Sequence, residues 1–504
     1  MQKSYTITIS FIVALGGFLL GFDSAVISGA VAGIRSYFEM SDWELGFSVG
    51  CVIFGAMIGN MFAGPISDAY GRKKTLIVTA ILFTVSALWS AFAHNYAEFI
   101  IARIIGGVGI GGAILIAPIY IAEIAPPKLR GSLVSLNQLN IVLGISVAYF
   151  SNYYLKDIDG ESWRWMLGVE GIPSIIYFLA LFIVPKSPRW LIQNTNNIEL
   201  AENILTKIGG QNFAVNTIEE IKRGSEKKQK KGTFLDLVKS KYSTMFIIAF
   251  GLAFFQQITG INAIFYYAPT IFEQAGGSSD AAFLQAIVVG IINLAFTFVA
   301  IFLIDRLGRK PLLIIGTSTM TIALTLATFA FYNATYELKE DSLEKITDIN
   351  TNIALKSLQG NRYNSQNELI EAISPFLDSK QLTKFKQEEI KHFITIDATL
   401  VLLAILLYVA AFAISLGPVM WTLLSEIFPG NIKGIAISVV GFFNSLISYT
   451  VTQFFPWELT NLGPTITFAI YAFMALLSLL FVIKYIVETK GKSLEKIEEL
   501  LIQN

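Results

Sequence analysis

The chain has 504 residues, of which 54% are hydrophobic and only 15% are charged, and its formal net charge is zero. Soluble domains carry about 25% charged residues, so this composition indicates a membrane protein, and the charge balance excludes a strongly basic nucleic-acid-binding protein. The single cysteine, Cys51, excludes an internal disulfide, and His94 and His392 lie too far apart in sequence to suggest a metal site. We therefore expect no metal and no cofactor.

Twelve apolar runs follow one another along the chain, each long enough to cross a bilayer core of about 30 Å as a helix. They centre near residues 18, 56, 84, 111, 144, 175, 258, 292, 322, 411, 444 and 475. The first run, from Ile7 to about Val31, is too long for the apolar region of a signal peptide, so we interpret it as a span. Polar, Gly and Pro residues interrupt the seventh and tenth runs, and we expect breaks there.

Basic residues in the short loops predict the orientation. An even number of spans places both termini on one side, where the short loops contain nine basic residues: Arg72, Lys73, Lys74, Lys128, Arg130, Arg306, Arg309, Lys310 and Lys433. The opposite side has three: Arg35, Lys156 and Arg164. The side with more basic residues is predicted to be cytoplasmic, together with both termini.

The first and fourth spans carry a pair of opposite charges. Asp23 lies 16 residues after Ile7, or about 24 Å along a helix, and Arg103 lies about 8 Å from the outer start of its span. These depths sum to about one bilayer core, so the two residues should lie at the same level. A carboxylate at the centre of a span costs roughly 2.5–3.5 kcal/mol, so Asp23 needs a partner or a proton.

The glycines of GVGIGG (107–112) fit a dinucleotide-binding pattern literally, but no strand precedes them and they lie inside an apolar span. We expect them to allow close packing of helices instead. The same role is expected of Gly17 with Gly21 and of Gly55 with Gly59.

Two motifs occur twice. GPISDAYGRKK (64–74) is repeated in part as DRLGRKP (305–311), and AEIAPPKLRG (122–131) as SEIFPGNIKG (425–434). Asp305 lies 237 residues after Asp68, whereas Glu426 lies 303 residues after Glu123, and the polar segment 334–396 accounts for the difference. Without that segment the chain is two similar halves of six spans, which is typical of transporters that hold a substrate near the membrane midplane.

Charged residues of these motifs are candidates for a cytoplasmic gate. They are Asp68, Arg72, Glu123 and Arg130 in the first half and Asp305, Arg309, Glu426 and Lys433 in the second. Salt bridges among them would lock the halves together in one state and release them in another. In the alternative interpretation, the bases only set the orientation.

The chain resembles the sugar porter family of the major facilitator superfamily over nearly its whole length. The resemblance rests on GRKK (71–74), PIYIAEIAPPKLRG (118–131), WRWM (163–166), PKSPRWL (185–191), QQITGINAIFYYAP (256–269), DRLGRKP (305–311), GPVMWTLLSEIFP (417–429) and VETKGKSL (487–494). It implies an all-α integral membrane protein with twelve transmembrane helices in two pseudo-symmetric six-helix halves. Departures from the family pattern are Ala69, Lys186, Lys433 and Val487.

Polar residues inside the later spans are the candidate sugar contacts. By resemblance, the sugar-contacting positions are Gln138, Gln256, Gln257, Asn262, Asn293, Trp421 and Asn444. Amides offer both donors and acceptors to sugar hydroxyls, and Trp421 offers a flat face beside the break at Gly417. Phe18, Tyr266 and Tyr267 are expected to narrow the cavity, and Ile145 and Phe265 to tune ring size. Any single amide could instead join helices.

The resemblance also gives Asp23 and Arg103 a predicted role. Proton-coupled members of the family carry an aspartate at this position, paired with this arginine, whereas many facilitators have a neutral residue. A buried aspartate beside an arginine can alternate between a paired, ionised form and a protonated form. The alternative is a static structural salt bridge.

We predict an N-terminal six-helix half (1–190), a cytoplasmic linker with short helices (191–240), a C-terminal six-helix half (241–490) and a short cytoplasmic tail (491–504). Within the second half, the segment 334–396 is predicted to lie outside the cell; we call it the insert. Leu369, Ile370, Ile373, Phe376 and Leu377 recur at helical spacing, so one or two amphipathic helices are expected near the outer mouth. The insert is either a tolerated surface insertion or a lid over the sugar entrance.

The predicted function is symport of a hexose or pentose with a proton by alternating access, in a bacterial inner membrane and as a monomer. An uncoupled sugar facilitator is the first alternative. A non-transporting sugar sensor is the second, although only 14 residues follow Lys490. No nucleophile, metal cluster or phosphate loop suggests an enzyme.

Overall fold

A computed structural model describes residues 3–126, 129–158, 160–226, 242–343, 346, 349–429, 432–492, 496–497 and 501. Within them, eleven helices are long and apolar enough to cross a membrane, and two shorter helices after span 5 make up a twelfth span, span 6. Spans 1 to 5 are the helices Lys3–Tyr37, Asp42–Tyr70, Arg72–Phe92, Tyr96–Ile124 and Arg130–Leu155. Spans 8, 9, 11 and 12 are Ser279–Leu307, Arg309–Tyr332, Lys433–Asn461 and Gly463–Tyr485.

The remaining three spans are interrupted helices. Span 6 consists of Ser162–Gly168 and Gly171–Ala180, span 7 of Ser243–Ile258, Ile261–Tyr266 and Ala268–Gln274, and span 10 of Ala398–Ile414 and Leu416–Ile427. Gly260 has a φ of 92°, which L side chains rarely adopt, so it ends the first helix of span 7. Pro173 and Pro418 lack the N–H that would continue spans 6 and 10. The sequence predicted the breaks in spans 7 and 10 but not the one in span 6.

The twelve spans form two halves of six. In the first half, span 1 packs along span 5 and span 2 along span 4; in the second, span 9 packs along spans 10 and 12, and span 7 along span 11. The halves meet where span 2 packs on span 11 and span 5 on span 8. We call the end of the bundle that carries the repeated motifs the motif end, and the opposite end the insert end.

Glycines bring paired spans into backbone contact. A Cβ on Gly107 would lie 2.2 Å from the carbonyl oxygen of Val52, and one on Gly111 would lie 2.1 Å from that of Ala56. These glycines of the GVGIGG sequence therefore serve the packing of span 4 on span 2, as expected. Gly21 of span 1 approaches Ile141 of span 5 in the same way.

After span 6, two amphipathic helices, Ile198–Gly209 and Gln211–Glu226, cover the motif end of the first half. Their apolar faces are buried in the core of that half, through Ala201, Ile204, Leu205, Ile208, Ala214 and Ile218. Residues 227–231, the second half of the Lys-rich sequence 222–231, lie outside the described residues.

The insert is a small folded unit with its own core. It contains the helices Glu340–Leu343, Ile349–Leu355, Gln366–Ile373 and Ser379–Lys384 and several shorter turns. Strands β1 (Thr335–Glu337), β2 (Arg362–Tyr363) and β3 (Ile394–Thr395) pair antiparallel, with β1 in the middle. Helix 366–373 buries Leu369 and Ile373, as the helical spacing predicts. The expectation of only one or two helices was too simple, because strands of two or three residues show no periodicity.

Candidate functional site

Four of the predicted amides meet where span 7 packs against span 11. Gln257 donates from Nε2 to the side-chain oxygen of Asn444 at 3.1 Å, and Asn262 donates to the side-chain oxygen of Gln257 at 2.8 Å. Asn444 in turn donates to the side-chain oxygen of Gln256 at 2.9 Å. We call Gln256, Gln257, Asn262 and Asn444 the amide cluster.

The breaks in spans 7 and 10 shape the surroundings of the amide cluster. Gln256 Nε2 donates to the carbonyl oxygens of Leu416 and Gly417, at 2.9 and 3.4 Å, at the start of the second helix of span 10. Trp421 lies one turn further along that helix, with 44% of its surface exposed. An amide and a broad aromatic face therefore border the same break, which suits the polar edge and apolar face of a pyranose ring.

The other predicted contacts line the neighbouring spans. Gln138 is exposed on span 5. About three turns later on the same face, Tyr149 donates to the carbonyl oxygen of Phe265 in the second half at 2.8 Å, so this face of span 5 is directed toward the second half. Asn293 of span 8 is buried, and among the described residues its side chain makes no hydrogen bond. Phe18 is half-buried and Tyr266 is buried.

Asp23 and Arg103 form an ion pair inside the first half. Arg103 Nη1 contacts Asp23 Oδ1, and Nη2 lies 3.4 Å from Oδ2. The two side chains are only 5% and 2% exposed, so each charge depends on the other for compensation. The pairing that the two depths predicted is confirmed, since both residues lie at one level of the bundle.

The sequence reasoning missed a second carboxylate beside this pair. Glu170 is buried at the break in span 6 and lies within electrostatic range of both Asp23 and Arg103. Tyr266 of span 7 also lies within electrostatic range of the pair, on the short helix that carries Asn262. A carboxylate in the apolar sixth run was the available signal for Glu170. The described residues contain no group of His, Cys, Asp and Glu that could hold a metal ion.

The repeated motifs form the same ion pairs in both halves. Arg72 contacts Asp68 Oδ1 at 2.7 Å and Glu123 Oε1 at 3.0 Å. Arg309 contacts Asp305 at 3.3 Å and Glu426 at 2.8 Å. Each set lies within its own half, and among the described residues no ion pair joins the halves at the motif end. Lys433 makes no ion pair within that part of the chain, and the side chain of Arg130 lies outside it.

Glu488 supports the second set of motif residues. It accepts hydrogen bonds from the backbone N–H groups of Lys490, Arg309 and Lys310, at 2.7, 3.1 and 2.9 Å. Two of these donors are in the first turn of span 9, where helix N–H groups lack partners within the helix. Burial alone would raise the pKa of Glu488, but these hydrogen bonds lower it overall.

The halves are closed against each other at the insert end. Trp43 packs edge-on against Phe454 with ring centroids 4.9 Å apart, and Gln453 donates to the carbonyl oxygen of Trp43 at 2.8 Å. Ser146 donates to the carbonyl oxygen of Gly290 at 2.9 Å. The two halves are therefore in contact at the insert end, whereas at the motif end the ion pairs of the described residues stay within each half.

The sequence matches a family model described as "Sugar (and other) transporter" over residues 9–347 and 384–501. The arabinose-proton symporter of Bacillus subtilis is 34% identical over 508 residues, covering 100% of this chain and 96% of that protein. The D-xylose-proton symporter of Escherichia coli K12 is 34% identical over 537 residues, covering 99% of this chain and 96% of that protein.

Solved structures agree with these matches. An inward-open conformation of the xylose transporter XylE from E. coli aligns with a TM-score of 0.77 at 34% identity, covering 98% of this chain and 100% of that one. XylE bound to 6-bromo-6-deoxy-D-glucose aligns with a TM-score of 0.71 at 34% identity, covering 99% and 100%.

Proposed function

This chain belongs to the sugar (and other) transporter family, and we propose that it is a multi-pass membrane protein that carries a monosaccharide together with a proton by alternating access. The observation that carries the proton coupling is the buried Asp23–Arg103 pair with Glu170 beside it. The sugar is a pentose or hexose, the class to which the sugars named for its symporter relatives belong.

The amide cluster is the proposed sugar site, together with Gln138, Asn293 and Trp421. Amides on spans 7, 8 and 11 belong to the second half, whereas Gln138 belongs to the first. A sugar bound between these residues would contact both halves of the transporter. Phe18, Tyr266 and Gly417 border this space, and Ile145 and Phe265 tune which ring substituents fit.

Proton coupling follows from the balance of charge in the buried pair. Two buried carboxylates, Asp23 and Glu170, lie within electrostatic range of one guanidinium, so full ionisation leaves an uncompensated negative charge. A proton on either carboxylate removes that charge.

A short helix links the two sites. Ile261–Tyr266 carries Asn262 of the amide cluster, and one turn later Tyr266, which lies within electrostatic range of Asp23. This helix is bounded by Gly260 and by a non-helical Tyr267, so it can tilt as a unit. Sugar binding at Asn262 would thereby change the surroundings of Asp23.

The orientation follows from the basic residues of the motif end, which we place in the cytoplasm of a bacterial cell. The motif ion pairs within each half then belong to an inward-facing state, and Arg130 and Lys433 complete the gate in the outward-facing state. We keep the division into halves 1–190 and 241–490, linker 191–240 and tail 491–504, and a monomer in the bilayer.

Sugar-induced proton uptake into liposomes tests the proposal. The panel is xylose, arabinose, glucose, galactose and fructose, each also measured by counterflow, which needs no net proton movement. Proton uptake with at least one sugar should disappear in Asp23→Asn while counterflow of that sugar persists. Asp157→Asn, an exposed carboxylate that is paired only with Lys156 among the described residues, is the matched control and should retain both. Counterflow in wild type without proton uptake would identify an uncoupled facilitator. Absence of both would favour the sensor.

A further inference from the structure

The insert touches both halves of the transporter at the insert end. Gln387 donates from Nε2 to Asp42 Oδ1 of the first half at 3.1 Å. Four residues later, Lys391 forms an ion pair with Glu273 of the second half at 2.7 Å. One short segment of the insert, residues 387–391, thus contacts both halves, each through a different side chain.

This segment is held rigidly. Phe385 and Phe393 flank it, and their rings stack with centroids 5.5 Å apart inside the core of the insert. Further contacts fix the insert to the second half, since Ile394 lies against Gly276 and Gln366 lies against Gly463. The insert is therefore built on the second half and reaches the first half through Gln387.

At the closed insert end, Asp42 of the first half accepts hydrogen bonds from both the insert and span 11. Its Oδ1 receives Gln387 of the insert and Thr460 of span 11, at 3.1 and 3.2 Å, and its carboxylate pairs with Arg35 of its own half. A capping box at Ser41 fixes the start of span 2, so Asp42 moves with that span. When the first half rotates away, the bonds from Gln387 and Thr460 must break, whereas that of Arg35 is kept.

We propose that the insert is a strap that stabilises the closed insert end, and so biases the transporter toward the state that is open at the motif end. The family model leaves residues 348–383 of the insert unmatched, whereas Gln387 and Lys391 lie within the matched range 384–501. The proposal requires two rocking halves but neither a particular sugar nor proton coupling.

The test measures the distances between spin labels in the absence of sugar. One pair, Ser36→Cys with Asn461→Cys, lies at the insert end on exposed positions of the two halves; the other, Tyr70→Cys with Leu307→Cys, lies at the motif end. The native Cys51 is buried and does not compete for the label. Gln387→Ala and Lys391→Ala each remove one attachment of the strap. Gln359→Ala and Lys380→Ala, at exposed positions of the insert, are the matched controls.

A third variant removes the strap altogether. Tyr336 lies directly opposite Ile394 in the β1–β3 pair, so replacing residues 337–393 by Asn-Gly closes a two-residue hairpin. Monodisperse elution in detergent and retained counterflow show that this protein is folded.

We expect each alanine variant to raise the ratio of insert-end-open to insert-end-closed molecules by about threefold to tenfold, because each loses one part-buried polar contact with the net strength of an ordinary hydrogen bond. The excised protein should show at least as large a change, with the motif-end distances shortening in parallel, and both controls should match wild type. Unchanged distance distributions in the excised protein would overturn the strap. A change in the excised protein but in neither alanine variant would overturn it too, because the two named contacts would then not carry the effect.

Discussion

Gly46 lies where span 2 of the first half packs against span 11 of the second, and filling this position should force the insert end open. A Cβ at Gly46 would lie 2.0 Å from the backbone carbonyl oxygen of Gln453 in span 11, a distance that real Cβ atoms essentially never show. The obstacle is backbone, so no side-chain rotation relieves it. Gly46→Leu must therefore separate span 2 from span 11 in the closed state.

The magnitude follows from this overlap. Overpacking of a well-packed interface costs about 1–3 kcal/mol, and here the cost falls on the closed state alone, because the spans part when the insert end opens. Each 1.4 kcal/mol is a factor of about ten in population. We expect the ratio of insert-end-open to insert-end-closed molecules to rise by about tenfold to a hundredfold.

The assay combines the two spin-label pairs with transport. Gly46→Leu should lengthen the insert-end distance, shorten the motif-end distance and reduce sugar counterflow by about tenfold or more, while sugar binding persists. Gly64→Leu on the same span is the control, because the nearest atom to its Cβ is a leucine methyl group 3.8 Å away. Wild-type distances in Gly46→Leu, or the same shift in Gly64→Leu, would refute the reasoning.

Three further predictions concern the sites themselves. Gln257→Ala should raise the sugar concentration for half-maximal counterflow by about tenfold, since it removes an amide that would bond the sugar; an unchanged value would remove Gln257 from the sugar site. Glu170→Gln should keep counterflow but alter the pH dependence of proton-driven uptake, and a wild-type pH profile would show that Glu170 takes no part in proton coupling. Glu488→Gln should lower the melting temperature by about 2–4 °C near pH 7. Folding lowers the pKa of Glu488, so its contribution to stability is complete above the unfolded pKa of about 4.3. That contribution fades as the pH falls through the folded pKa, so the difference in melting temperature between Glu488→Gln and wild type should shrink in acid. A pH-independent difference would contradict this cause.

The Asp23–Arg103 ion pair could be predicted from sequence because membrane thickness fixes depth. Counting residues from the ends of two apolar runs placed Asp23 and Arg103 at one level, and no other ionisable partner was available to Asp23 in those runs. Glu170 escaped the same logic. Its span is broken at that residue, so depth counted along a continuous helix does not apply to it.

The amide cluster was predictable as a set of residues but not as a network. Resemblance identified Gln256, Gln257, Asn262 and Asn444, but only coordinates show that they bond one another. The structure also leaves Asn293 and Gln138 outside that network. Hydrogen-bond partners depend on rotamers and on the kink at Gly260, which residue types do not encode.

The motif residues show a similar division. The motif residues were predicted to form salt bridges that lock the halves together, whereas Arg72 and Arg309 each form ion pairs within their own half. Whether such pairs lie within a half or between halves depends on the conformational state, which a sequence does not specify. The fold of the insert was least predictable, because its strands are shorter than the periods that reveal strands.

At the proposed sugar site, the mutual hydrogen bonds of the amide cluster have a consequence for the heat of sugar binding. Each amide that turns to a sugar hydroxyl first gives up a bond to another amide, so the exchange leaves the number of hydrogen bonds nearly constant. Binding of this kind releases little enthalpy and yields modest affinity. A transporter must release its sugar in every cycle. Such a site favours release, because the amides form their bonds to one another again as the sugar leaves.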